Sequence, residues 1–172
     1  MRLVAGFVGT RNMSSPKIHP LHRAVMIRSL SDVTQALAAD RDPDPLDREG
    51  RSPIFYATQD GDLPILQKLI DSGAAVNLQD KSKETALHFA ARSFQPDAAR
   101  LLIECGAIVD IQDVHGNTAL FHAVYDSQGR GELITLLLRS GANRALKNNY
   151  DVSPEDLART IANYDIACFF DS

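Results

Sequence analysis

Five histidines, two cysteines and a dense run of aspartates are the groups in this 172-residue chain whose types are suited to chemistry. Imidazole at His22 or His88 could serve as a general base or a metal ligand near neutral pH. Neither has a cysteine or carboxylate beside it at metal-ligand spacing. Serine, histidine and aspartate are all present, but a triad is a matter of geometry, and the chain has no G-x-S-x-G, P-loop or H-E-x-x-H. Ser127-Gln128-Gly129-Arg130-Gly131 is rich in glycine yet lacks a Walker lysine and follows no strand, so it reads as a lengthened turn between helices. Asp40, Asp42, Asp44, Asp47 and Glu49 alternate like calcium-binding oxygens, but Pro43 and Pro45 interrupt them, and the central glycine and closing glutamate of a calcium loop are missing. That stretch reads as a solvated loop. Cys105 and Cys168 stand in apolar helical segments and read as two buried thiols, suited to a reducing compartment. The expectation is no catalytic residue, no metal and no cofactor.

Bulk properties narrow the classes further. The apolar fraction of 44% and charged fraction of 23% are those of a chain with a real core. A net charge of −4 lacks the basic surface that displaces counterions from phosphate, so nucleic acid is not an expected partner. No apolar run reaches the ~18 residues of a membrane helix, and no membrane is expected either. Residues 1–16 read as a disordered leader: Leu3–Val8 is short, contains Gly6 and is followed by no A-x-A-like cleavage site, the alternative being a signal peptide. Met13 could be the natural start. The default location is cytoplasmic.

What must position any site is a repeat. His19-Pro20-Leu21-His22, Ser52-Pro53-Ile54-Phe55, Thr85-Ala86-Leu87-His88 and Thr118-Ala119-Leu120-Phe121 each start 33 residues after the one before, and Ser153-Pro154-Glu155-Asp156 follows after 35. Gly73-Ala74, Gly106-Ala107 and Gly141-Ala142 keep the same intervals, 33 and then 35. The two extra residues therefore fall between Thr118 and Gly141, in the Ser127–Gly131 turn. Proline at the second place suits a helix start, and Ser or Thr before it can cap the free N–H groups. A second helix follows with apolar pairs such as Ile65-Leu66, Leu101-Leu102 and Leu136-Leu137, and glycine closes it where a left-handed cap is wanted. Neither helix can bury its apolar side alone, so the units must stack.

These motifs resemble the ankyrin repeat, best in Asp113-Val114-His115-Gly116-Asn117-Thr118-Ala119-Leu120-Phe121-His122-Ala123 closing at Gly141-Ala142-Asn143, with Asp47–Leu78 and Asp80–Ile111 nearly as good. The resemblance runs from about Ile18 to Phe170. It implies an all-α solenoid of stacked helix-turn-helix units with short loop or hairpin fingers. The expected organisation is a leader at 1–16, an N-terminal capping repeat at 17–46, repeats at 47–79, 80–112 and 113–147, and a C-terminal capping repeat at 148–172. His22 and His88 are then expected to bond loop backbone and lock neighbouring units. Departures from the pattern carry their own expectations. Lys83 and Asp151 stand where Gly50 and Gly116 do, and a left-handed lysine costs about 1 kcal/mol, so the loop before the second repeat is expected to be distorted or softer. Glu155 replaces a core leucine in the last unit.

In this family a partner protein is expected on the concave surface of loop tips and inner helices. The matching positions are Arg48, Glu49, Arg51, Gln59 and Asp60, then Lys81, Ser82, Glu84, Arg92 and Ser93, then Val114, His115, Asn117, Tyr125 and Asp126. Mixed charge with an aromatic suits a polar protein interface, and Arg48, Arg51, Arg92 and Tyr125 are of the types most often found as hot spots. The Tyr125–Glu132 insertion is a candidate secondary contact. The implied function is non-enzymatic protein binding by a chain that is monomeric when free. A stoichiometric inhibitor or immunity (antitoxin) protein is the leading form, because the segment from Asn149 to Asp165 resembles the end cap of small free-standing bacterial ankyrin proteins. A scaffold, adaptor or chaperone-like stabiliser is the alternative.

Overall fold

The computed structural model describes residues 18–161 and 165–171, so the expected leader and residues 162–164 and 172 lie outside the described residues. The described residues form helices joined by turns, with no strand among them: α1 (Pro20–Met26), α2 (Leu30–Ala39), α3 (Pro53–Gln59), α4 (Leu63–Asp71), α5 (Ala86–Arg92), α6 (Pro96–Glu104), α7 (Ala119–Tyr125), α8 (Glu132–Arg139), α9 (Pro154–Thr160) and a closing 3-10 helix, Ala167–Phe170. The odd-numbered helices stack on one another in an inner row, α1 on α3, α3 on α5, α5 on α7 and α7 on α9. The even-numbered helices form an outer row, α2 to α8.

Helices of 7 to 10 residues are too short to persist alone in water. Columns of equivalent apolar residues hold them. Leu21, Ile54, Leu87 and Leu120 fill the inner helices and are all buried. Ala24, Ala57, Ala90, Ala123 and Ala158, one per inner helix, are buried too, and their small side chains let neighbouring helices approach closely. Val33, Leu66, Ala99 and Ile134 make the matching column in the outer row. Full burial of a Leu or Ile is worth about 1.5–3 kcal/mol, so the columns, not helix propensity, carry the fold.

The ends of the helices follow the sequence closely. Gly106 caps α6 at φ +90°, and Ala107 N–H reaches back to Leu102 O at 2.9 Å; Gly73 and Gly141 do the same for α4 and α8. At the N-termini the Thr118 hydroxyl accepts from Phe121 N–H at 3.3 Å and the Ser153 hydroxyl from Asp156 N–H at 3.1 Å. Ser52 departs from that expectation: its buried hydroxyl has no hydrogen-bond partner among the described residues.

Loop geometry corrects one expectation. Lys83 adopts φ +57°, the same left-handed turn that Gly50 and Gly116 make, with Asp151 at +62°. The loop before α5 is not distorted. Asp80 Oδ1 accepts Ser82 and Glu84 N–H at 2.8 and 3.0 Å, as Asp113 Oδ1 accepts His115 and Asn117 N–H at 2.8 and 2.9 Å. Adjacent loops are joined by Lys81 N–H to Glu49 O, Val114 N–H to Ser82 O and Asn149 N–H to His115 O, each at 2.9 Å. Three charge-assisted or backbone bonds per loop outweigh the strain of one left-handed lysine.

The aspartate run is more than a solvated loop at one place. Asp44 Oδ2 accepts Ala75 N–H at 2.8 Å, and Asn77 and Asp110 repeat the bond to Ile108 and Asn143 N–H at 2.8 and 2.9 Å. Both cysteines correct the reading of buried thiols, for Cys105 and Cys168 are exposed. Cys105 is the C-cap of α6, beyond its apolar stripe. Cys168 lies on the 3-10 helix, whose inward positions are taken by Ile166 and Phe170. Glu155, at the core-leucine place, binds Arg144 at 2.8 Å and Arg159 at 2.8 Å. The last unit thus meets solvent with ion pairs.

Candidate functional site

The inner helices and the loops before them make one face, and its side chains follow the same 33-residue period as the core. The place after the fourth residue of each tetrapeptide is Tyr56 on α3, Phe89 on α5 and His122 on α7. Tyr56 O–H donates to Asp47, the loop aspartate of its own repeat. His122 bonds the equivalent Asp113 at 3.1 Å. Phe89 has no polar atom to offer Asp80, and a residue of the preceding repeat takes over: Arg51 Nε donates to Asp80 Oδ2 at 2.9 Å. The Arg51 guanidinium then lies 4.8 Å from the Phe89 ring centre, with Arg92 at 5.3 Å from the same ring. Arg92 in turn pairs with Glu84 at 2.5 Å.

This places the expected binding residues unevenly. Arg48, Glu49, Lys81, Val114 and His115 are exposed at the loop tips, with Ser82 half-buried between them. Gln59 and Asp60 are exposed at the end of α3, where Asp60 meets Arg28 at 3.4 Å. Ser93 is half-buried. Arg51, Glu84 and Arg92 come together around Phe89, and Glu84 is buried, so its carboxylate faces Arg92 and not the outside. Asn117 is half-buried, its side-chain oxygen accepting from Asn148 at 2.8 Å and its backbone oxygen from His88 at 3.2 Å. Tyr125 is 68% exposed. Asp126 beside it is half-buried and in no ion pair among the described residues; burial pushes its carboxyl above the ordinary carboxylate range.

Two hollows open on this face. One is lined by Ile18, Met26, Leu46, Arg48 and Tyr56, and the other by Arg92, Asn117, Phe121, His122, Tyr125 and Asp126. Sequence reasoning missed Tyr56, Phe89, His122 and the loop aspartates as parts of the face. The signal was present, since those residues keep the period.

The histidine expectation holds. His22 Nε2–H donates to Arg51 O at 3.0 Å and His88 Nε2–H to Asn117 O at 3.2 Å, each across one repeat boundary. His88 Nδ1 accepts Thr85 N–H at 3.1 Å, which fixes the neutral tautomer, and burial holds its proton affinity below the usual value. The inserted turn folds back on the second repeat: the Arg130 guanidinium sits 3.7 Å from the Phe94 ring centre. Gly131 is covered so closely by Phe169 that a Cβ there would lie 1.9 Å from the ring. No helix among the described residues is long and apolar enough to cross a membrane.

Comparison with known proteins agrees with this architecture. A family described as ankyrin repeats (3 copies) matches residues 54–151. The chain is 33% identical over 149 residues to the B-cell lymphoma 3 protein homolog of Mus musculus, a match covering 85% of this chain and 25% of that protein. It is 32% identical over 113 residues to a transient receptor potential cation channel subfamily A member 1 homolog of Caenorhabditis elegans, covering 66% of this chain and 9% of the channel protein. The chain therefore spans a quarter or less of the length of these relatives.

Proposed function

The chain belongs to the ankyrin-repeat family, and from that premise we propose that it binds another protein through its inner-helix face and loop tips and catalyses no reaction. Ankyrin repeats generally mediate protein–protein interaction, and the family is typically non-enzymatic. The observation that carries the proposal is the set of exposed side chains at Arg48, Glu49, Lys81, Val114, His115 and Tyr125, which the stack does not need. They offer both signs of charge and a large aromatic, the composition of a specific polar interface.

The finer reading is a stoichiometric inhibitor of the immunity type, supported by the likeness of the closing segment to the end cap of small free-standing bacterial ankyrin proteins. A scaffold or stabiliser is the alternative. We read the working location as cytoplasmic, which two unpaired thiols, Cys105 and Cys168, suit, and the free chain as a monomer. Affinity purification from native lysate, followed by mass spectrometry, tests the whole. One protein recovered in 1:1 ratio supports the inhibitor. Several substoichiometric proteins favour the scaffold, and capture equal to that of an unrelated stacked protein refutes binding.

A further inference from the structure

Glu84, Asp113 and His122 come from the loop before α5, the loop before α7 and α7 itself, and no spacing in the sequence joins them. In the fold, one carboxylate oxygen of each acid and an imidazole nitrogen lie within 4.8 Å of one another. The site is largely buried: the side chains of Glu84 and Asp113 are 7% and 3% exposed, and that of His122 is 16% exposed. Two buried carboxylates this close require positive charge. Arg92 supplies it to Glu84, while Asp113 Oδ2 has a hydrogen bond from His122 Nε2–H at 3.1 Å.

We propose that Glu84, Asp113 and His122 form a binding site for a divalent transition metal of the Zn2+ type. Two oxygens and one imidazole nitrogen are a donor set zinc accepts, whereas calcium and magnesium take oxygens alone in larger number. Tetrahedral zinc holds its ligands roughly 3.4 Å apart, so a gap of 4.8 Å must close by about 1.4 Å. The Glu84 side chain, on its three rotatable bonds, can supply that movement. The imidazole carries its hydrogen on Nδ1 in the bound state, and Nε2 turns its lone pair to the ion. The second layer is already built. Asp113 Oδ1 is held by His115 and Asn117 N–H, which aims Oδ2 at His122, and Arg92 donates to Glu84 Oε1. His88, whose ring centre is 5.8 Å from that of His122, is no competitor, because both its nitrogens are engaged. A fourth ligand, such as a water molecule, would reach the ion from the hollow that His122 lines beside Phe121 and Tyr125. The second repeat shows what a closed version looks like, for Phe89 stands at the His122 place.

Zn2+ titration of the purified chain by calorimetry tests the site, on a Cys105→Ser, Cys168→Ser background that removes the two exposed thiols. The expected result is one equivalent bound, weakened at least tenfold by His122→Phe and unchanged by His19→Ala, which removes the imidazole that precedes α1, far from the cluster. Absence of saturable uptake, or equal uptake by His122→Phe, overturns the proposal. Co2+ loading of the unaltered chain gives a reading that needs no variant. Visible bands of nitrogen and oxygen ligands in tetrahedral geometry support the site; a thiolate-to-metal band, or the spectrum of the free hydrated ion, overturns it.

Discussion

At Phe89 two guanidiniums, Arg51 and Arg92, converge on one ring, and each has its own carboxylate, Asp80 or Glu84. One repeat later, Tyr125 stands 68% exposed at the place corresponding to Arg92, and Asp126 beside it has no ion-pair partner among the described residues. The two repeats share a backbone, a loop-aspartate bond pattern and an equally buried core leucine, Leu87 or Leu120. They differ in where the face spends its polar groups. In the second repeat both acids are paired, Asp80 across the repeat boundary with Arg51 and Glu84 within the repeat with Arg92, whereas the third has an exposed aromatic and a half-buried carboxyl in no ion pair among the described residues. A binding surface in a solenoid is therefore not every exposed position of the repeat. On the proposed reading it is the subset whose polar groups the stack has not already claimed.

Core truncation measures whether the scaffold is the same on both sides of that contrast. Leu87→Ala and Leu120→Ala are each expected to cost about 2–5 kcal/mol in urea unfolding, because both positions are fully enclosed. A large cost at one and a negligible cost at the other would place the difference in the core. Arg51→Ala should cost less, about 2–3 kcal/mol, by stranding the Asp80 carboxylate, whose side chain is 1% exposed. Tyr125→Ala is expected to change stability by no more than about 0.5 kcal/mol. If Arg51→Ala proves as neutral as Tyr125→Ala, the inward pairing contributes nothing and the contrast collapses.

Smaller effects sharpen the ends of the comparison. Lys83→Gly relieves a left-handed lysine and is expected to stabilise the chain by up to about 1 kcal/mol in the same unfolding assay, with the loop bonds intact. At the C-terminal end Arg144 and Arg159 hold the Glu155 carboxyl down to about 2, from an ordinary 4.5. Its stabilisation is thus complete above about pH 4.5 and is lost as pH falls toward 2. Melting followed across that window should show a shallower fall for Glu155→Gln than for the unaltered chain. These pairs are well solvated, so the effect is expected below about 1 kcal/mol for each.

What the sequence made legible was everything that a single repeat decides by itself. The helix starts at Pro53 and Pro154, the glycine caps and the buried leucines follow from one period read repeatedly, and the cross-boundary bonds of His22 and His88 follow from the resemblance to ankyrin repeats. Some of what it hid depends on two repeats at once. Arg51 looks like a surface arginine until Phe89, in the next unit, fails to satisfy Asp80. Glu84 looks like a contact residue until Arg92 folds over it. Cys105 looks buried because its neighbours are apolar, yet one residue beyond the stripe is enough to turn it outward. The Asp44 bond to Ala75 was hidden for the same reason, since its partner is 31 residues away.

Partner capture by Tyr125→Ala, quantified beside the unfolding midpoint of the same sample, bears most directly on the claim that the unclaimed side chains of the third repeat do the recognising. The account predicts at least a tenfold loss of captured partner, about 1.4 kcal/mol or more, with the midpoint unmoved. Capture at the level of the unaltered chain, or a loss that only tracks a falling midpoint, would contradict it.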